Sequence, residues 1–379
     1  MRHAIAADTV FDGATVHRGC ALIVEGTDIV ALLPRGDLPT GMPVRTLPDG
    51  SWLAPGFIDV QVNGGGDVLF NNTPTAAGIA AIVEAHRRFG TTAMLPTLIS
   101  DNAATMRAAS AAVEAASRTN PSVLGIHFEG PFLSPERAGV HEVTMIRPPT
   151  QEDFDFLTAR RTTVTLVTLA PERVPPGFIA NLAQAGVRVA LGHSMASYDE
   201  TRAGIAEGLT GFTHLFNAMR PMMARDPGPI AAALEEPGAF YGLIVDGEHV
   251  APSMLRLALR GAGQAMLVTD AMPPVGGSGR NFRLYGNEIL VWGGSCRTAD
   301  GTLAGSALDM AGAVRNCVRL LDMTLADALR LAAAAPAAFL GLGDRLGRFA
   351  RGYRADIVAL DPVEVRVLAT WVVGDADEA

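Results

Sequence analysis

Along the middle of the chain, short apolar runs alternate with longer stretches whose apolar positions recur every three or four residues. The runs are GFIDVQVNG, TTAMLPTLI, VLGIHFEGP, TVTLVTLAPE, VRVALGHS, GFTHLFNAM, FYGLIVDGEHV and AMLVTDAMP. Each has the length of a buried strand, and the segments between them, such as AAGIAAIVEAHRRFG and APSMLRLALRGAG, have the spacing of amphipathic helices. Eight such units in strict alternation predict an α/β fold of the (β/α)8 type, a TIM barrel. The ends have a different texture. ALIVEG and DIVALLP near the start, and RADIVALDPVEVRVLATWVVGD near the finish, are strand-like pieces separated by turns. Both ends are expected to meet in one small discontinuous β-sandwich: residues 1–55 as its first part, 56–340 as the barrel, and 341–379 as its second part. Gly-rich edges around residues 275–305 mark an insertion that folds as a flap over the barrel mouth.

Polar residues gather where the apolar runs stop. VRVALGHS closes on His193, GFTHLFNAM on His214, and VLGIHFEGP breaks at His127 and Glu129 before a Gly-Pro turn. A lone histidine in such a place is more often a hydrogen-bonded core residue. In a barrel, however, strand carboxyl ends lie side by side, so Glu129, His193 and His214 can share one ligand. One carboxylate and two imidazoles, with a position left for water, is the donor count of a hydrolytic metal site; a structural zinc site is closed and usually built from cysteine.

The eighth run ends in VTDAM, which puts Asp270 at the same mouth. A carboxylate there can take a proton from water and return it to a leaving amine, with a turn or helix-capping aspartate as the plainer alternative. VDGEHV offers Asp246, Glu248 and His249, of which His249 can polarise a carbonyl or hold a hydroxyl. Asn217, Ala218 and Arg225 follow His214 and suit an anion. At the end of the first run, Gln61 and Asn63 stand where two-metal barrel hydrolases carry His-x-His. Neutral amides are poor zinc ligands, so one divalent ion per chain is expected, with Zn2+ as the ion.

Composition narrows the classes further. The chain has 379 residues and a net charge of -9, with no concentrated basic stretch, which argues against nucleic acid. All 30 basic residues are arginine, so neither a Schiff-base lysine nor a carboxylated lysine bridging two metals is available. The three cysteines, Cys20, Cys296 and Cys317, are odd in number and far apart, which fits a reducing, cytoplasmic setting. No apolar run is long enough for a membrane span, and the first residues do not have the pattern of a signal peptide.

Taken together, GFIDVQVNGGG, HFEGPFL, LGHS, THLFNAM, VDGEHV, VTDAM and the closing GRFARGYRADIVALD resemble the N-acetylglucosamine-6-phosphate deacetylases of the amidohydrolase superfamily, over nearly the whole chain. The resemblance implies a homodimer that hydrolyses the acetamide of N-acetyl-D-glucosamine 6-phosphate to D-glucosamine 6-phosphate and acetate. It implies Glu129, His193 and His214 as metal ligands and Asp270 as proton donor and acceptor. Substrate contacts carry over to Val140, Asn217, Ala218, Arg225, His249, Leu303, Ala304 and Gly305. His141 matches a histidine near the sugar phosphate, and Arg225 is expected to reach the neighbouring subunit's site, with both residues near the subunit interface. Gln61 and Asn63 match the single-metal branch. Phe132, the SPERAGVHE segment and VTDAMPPVGG depart from the commonest pattern, which leaves preference among amino-sugar phosphates open. The alternatives are a deacetylase of the galactosamine epimer, a cyclic-amide hydrolase, which the absent lysine and His-x-His disfavour, and a non-catalytic sugar-phosphate binder.

Overall fold

The computed structural model describes residues 2–378. Its centre is a sheet of eight parallel strands in sequence order: β1 (Phe57–Val62), β2 (Thr91–Ile99), β3 (Gly125–Glu129), β4 (Val164–Leu169), β5 (Arg188–Leu191), β6 (Gly211–Phe212), β7 (Phe240–Leu243) and β8 (Gln264–Leu267). These strands coincide with the eight apolar runs, and they are almost wholly buried because helices cover them. The helices start where the sequence supplies caps. Thr75 accepts from Gly78 N–H, Asn102 from the amides of Ala104 and Thr105, and Ser197 forms a capping box with Glu200.

Closure between β1 and the end of β8 uses few bonds. The Asp270 amide donates to Gln61 O at 3.0 Å, and the Asn63 amide donates to Ala271 O at 2.9 Å. Beneath them the Thr269 hydroxyl donates to the buried Asp59 carboxylate at 2.5 Å. From the final helix, Ala334–Phe339, the Phe339 ring enters the barrel interior beside Val60, Leu166, Ala190 and Met266. Gly211 has no room for a side chain there, since a Cβ would lie 2.8 Å from that ring. The fold class expected from the hydrophobic pattern is therefore the one observed.

The chain ends form two further sheets. Arg2–Ala6, Cys20–Glu25, Asp28–Pro34 and Val44–Thr46 make one. The other mixes the two ends of the chain: Trp52–Pro55 pairs antiparallel with Ile357–Asp361, which pairs with Arg366–Val372. Ile5, Leu22, Val24, Leu53, Ile357 and Trp371 pack together in one buried cluster between the sheets. After β8 a four-stranded antiparallel sheet runs through Phe282–Leu284, Asn287–Trp292, Ser295–Arg297 and Leu303–Ser306. Its Leu284, Ile289 and Cys296 rest on Leu69, Ile99 and Met272, so an apolar contact ties this flap to the barrel rim. Among the described residues, no helix is long and apolar enough to cross a membrane.

Asp59 gives this closure a pH dependence. Burial pushes its carboxyl up to about 7, against the opposing hydrogen bonds from Thr269 and Gln61. The folded state then holds a proton that the unfolded chain has already lost, so stability falls as pH rises from about 4 to about 7. The expected loss is on the order of a few kcal/mol. Asp59→Asn should flatten that part of the profile, and denaturant unfolding of both proteins at pH 5 and pH 8 measures it. Equal slopes in the two proteins would remove Asp59 as the cause.

Candidate metal and catalytic centre

Glu129 is the last residue of β3, and its neighbours in the sheet are Ile99 at the end of β2 and Thr168 near the end of β4. The carboxylate therefore rises from the floor of the barrel mouth. His193 lies just past β5 and His214 just past β6. Both break from extended geometry into the left-handed region, with φ of 48° and 34°. Ala218 at 48° and Asp270 at 52° share this conformation. Each such non-glycine residue is strained, and their clustering at one rim is the pattern expected where a site over-determines the backbone. The turn swings each side chain inward instead of letting it continue the pleat.

Three donor atoms converge there. Glu129 Oε1 lies 3.0 Å from His193 Nε2 and 3.0 Å from His214 Nε2, and the two ring nitrogens are 3.0 Å apart. All three residues are buried. The Nδ1–H of His193 donates to Arg137 O at 2.7 Å, so its Nε2 carries a bare lone pair. That lone pair faces a carboxylate oxygen and a second imidazole nitrogen, an arrangement that a cation shared by the three donors satisfies. Among the described residues this is the one group of histidine, cysteine and acidic side chains with metal-ligand spacing, and its donors fit a divalent ion. Burial pushes the Glu129 carboxyl up, but the imidazoles of His141, His193 and His214 around it outweigh burial and hold the group well below its ordinary value.

Asp270 stands beside this cluster. The Nδ2 of Asn63 donates to its Oδ1 at 2.6 Å, and Gln61 Nε2 donates both to that oxygen and to Glu129 Oε2 at 3.1 Å. Gln61 thus bridges the two carboxylates as a neutral donor. Burial, and then the charge on Glu129, raise the Asp270 carboxyl to about 6. The Ser306 amide donates to Asp270 O, and a side chain on Gly305 would meet that same oxygen at 2.8 Å, so the flap's last strand packs directly against the residue.

The cavity over these groups, about 320 Å³, is lined by most of the residues singled out in the sequence: Asn63, Glu129, Val140, His141, His193, His214, Asn217, Ala218, His249, Asp270, Leu303 and Gly305. Gln61 lies under its floor. Two of the residues singled out in the sequence do not line the cavity. Ala304 is fully buried, with Leu303 and Gly305 on either side of it at the wall. Arg225 is exposed on the turn after His214 and takes no part in lining its own chain's cavity. His127 is a core residue: buried, it contacts Val60 O and the Thr168 hydroxyl, and desolvation lowers its pKa to about 4.

Sequence reasoning gave no role to several supporting groups. Arg137 lines the cavity and supplies the carbonyl that orients His193. Glu172, after β4, accepts from the Ser194 hydroxyl at 2.8 Å and the Met195 amide at 2.6 Å, which fixes the loop carrying His193. Asp246 accepts from His249 Nδ1 at 2.6 Å. Only the last had a local signal, since the two residues share the motif VDGEHV.

Comparison with known proteins agrees with this geometry. The family model for the amidohydrolase family matches residues 52–378. The chain belongs to the amidohydrolase family, a class of hydrolases, and its relatives set it among the amino-sugar-phosphate deacetylases. It is 42% identical over 326 residues to an N-acetylgalactosamine-6-phosphate deacetylase of Shewanella, covering 85% of this chain and 82% of that protein. It is 32% identical to the N-acetylglucosamine-6-phosphate deacetylase of Haemophilus influenzae, over 99% of both. The crystal structure of the N-acetylglucosamine-6-phosphate deacetylase from Pasteurella multocida superposes over 100% of both chains with a TM-score of 0.97 at 34% identity.

The convergence of three donors predicts about one divalent ion per chain, measurable by elemental analysis of the purified protein. His214→Ala should lower that content to a small fraction and lower the melting temperature of the metal-loaded protein. Full metal content in the variant would show that the ion sits elsewhere.

Proposed function

We propose that this chain hydrolyses the acetamide of N-acetyl-D-glucosamine 6-phosphate, releasing D-glucosamine 6-phosphate and acetate. The observation that carries the reading is Gln61, whose amide joins Asp270 to Glu129 of the donor cluster and so fixes a proton-accepting carboxylate against a metal-ligand set. In this reading Glu129, His193 and His214 hold one divalent ion, with Zn2+ the ion suited to one carboxylate and two imidazoles. When bound, such an ion supplies Lewis-acid polarisation of the amide and makes water more acidic.

The chain's own residues do the rest. Asp270 takes a proton from the attacking water at Oδ2, while Gln61 and Asn63 hold Oδ1 and keep the carboxylate aimed. It then returns that proton to the departing amine, as amide cleavage requires. His249, oriented by Asp246, and the Leu303–Gly305 wall hold the sugar, together with Val140 and His141. The backbone around Asn217 and Ala218 faces the phosphate, and Arg225, exposed in its own chain, reaches into the neighbouring subunit of a homodimer. A cytoplasmic location fits the three free thiols.

A second reading keeps the chemistry and changes the sugar. The 42% identity to a protein named for N-acetylgalactosamine 6-phosphate favours that epimer as an alternative or additional substrate. Acetate release from both epimers, run beside unphosphorylated N-acetylglucosamine, tests the two readings together. Turnover that requires the phosphate and favours the glucosamine epimer supports the first; preference for the galactosamine epimer installs the second.

Asp270→Asn should lower kcat by roughly a hundred- to ten-thousand-fold, the usual worth of a positioned acid/base, with metal content unchanged. A fully active variant would remove Asp270 from this role. Because the carboxylate form is needed to accept the proton, and burial raises its pKa to about 6, activity should be present above that pH and fall as pH drops through it. A kcat/KM profile flat from pH 8 to pH 5 would contradict this.

A further inference from the structure

His141 is buried at the cavity wall, with Nε2 3.9 Å from Glu129 Oε1. Its other ring nitrogen, Nδ1, lies 3.2 Å from the backbone nitrogen of Ser100 and 2.8 Å from the Ser100 hydroxyl. A backbone N–H can only donate, so the ring nitrogen facing it must accept. The hydroxyl, free to rotate, then donates as well. A neutral imidazole whose Nδ1 accepts carries its proton on Nε2, the atom that looks into the cavity.

Ser100 is itself fixed, and from the flap. The Tyr285 hydroxyl donates to Ser100 O at 2.5 Å, and Tyr285 sits at a φ of 51°, a conformation that a bulky residue keeps only when its surroundings impose it. From the barrel side Asn71 grips the preceding residue through both groups of its amide, accepting from Ile99 N–H at 3.1 Å and donating to Ile99 O at 3.0 Å. Gly130 completes the fit, because a Cβ there would fall 2.3 Å from the Ser100 hydroxyl.

We infer that the Ser100 backbone amide, held in place by Tyr285 of the flap, locks His141 in the Nε2–H tautomer and so presents a fixed neutral hydrogen-bond donor to the cavity. Ser100 and Tyr285 are positioning residues. The flap contributes to the site through this contact as well as by covering it. The kinetic consequence rests on the deacetylase reading, but the tautomer does not.

The test is nitrogen NMR of metal-loaded protein with 15N-labelled histidine rings, the His141 signals assigned as those lost in His141→Gln. The expected pattern is a bare Nδ1 and a protonated Nε2. Ser100→Ala should keep that pattern, because the amide remains. Tyr285→Phe, which loses one hydrogen bond and little volume, should populate both tautomers and lower kcat about five- to tenfold with little change in KM. A protonated Nδ1 in the unaltered protein overturns the inference whatever the activity. A tautomer that switches in Ser100→Ala assigns the lock to the hydroxyl and overturns the amide's part. A Tyr285→Phe protein with a single tautomer and unchanged kcat removes the flap from the mechanism.

Discussion

Holding a carboxylate oxygen and two imidazole nitrogens within 3.0 Å of one another, away from water, is the constraint on which the rest of this structure depends. Such a cluster is unfavourable unless its donors are held in place and a cation completes it; Arg137 O holds the His193 ring, whereas His214 Nδ1 is buried without a hydrogen-bond partner. The barrel supplies the fixity. The donors come from β3, β5 and β6, with β4 between the first two; each sits at or just beyond its strand's last residue, and the left-handed backbone at His193 and His214 turns both rings inward. That strain is tolerable because the surrounding sheet is buried on both faces and closely packed.

At the same rim, two amide side chains at the end of β1 work on the carboxylates. Gln61 and Asn63 donate hydrogen bonds to Asp270, and Gln61 also to Glu129, so neutral amide protons lie between carboxylates that would otherwise repel. These bonds do not neutralise the charge, which is why the Asp270 carboxyl still stands above its ordinary value. A carboxylate so placed is suited to carrying a proton back and forth.

The flap has a mechanical place in this arrangement. Its last strand contacts Asp270 through Ser306, its Tyr285 holds Ser100 beside His141, and its Leu284 and Ile289 pack on the rim. One insertion thereby touches Asp270 directly and reaches His141 through Ser100. Arg225, by contrast, is exposed and does not line its own chain's cavity.

Much of this was legible in the chain itself. Eight apolar runs of strand length and the helical spacing between them point to a barrel, because a doubly wound open sheet rarely uses so many parallel strands of one length. The residues ending those runs dictate which side chains crowd the mouth, since strand ends in a barrel are neighbours by construction. This is why Glu129, His193, His214 and Asp270 stood out from sequence, while the structure alone shows that His127, two residues before Glu129, is a core residue. Tertiary structure alone decided what crosses between distant segments. That Arg137 O orients His193, that Glu172 holds the loop after it, that Ser100 meets both His141 and Tyr285, and that Ala304 is buried while its neighbours line the wall all depend on contacts between separate loops. Periodicity records which way a residue faces within its own element, and it carries no record of what lies opposite.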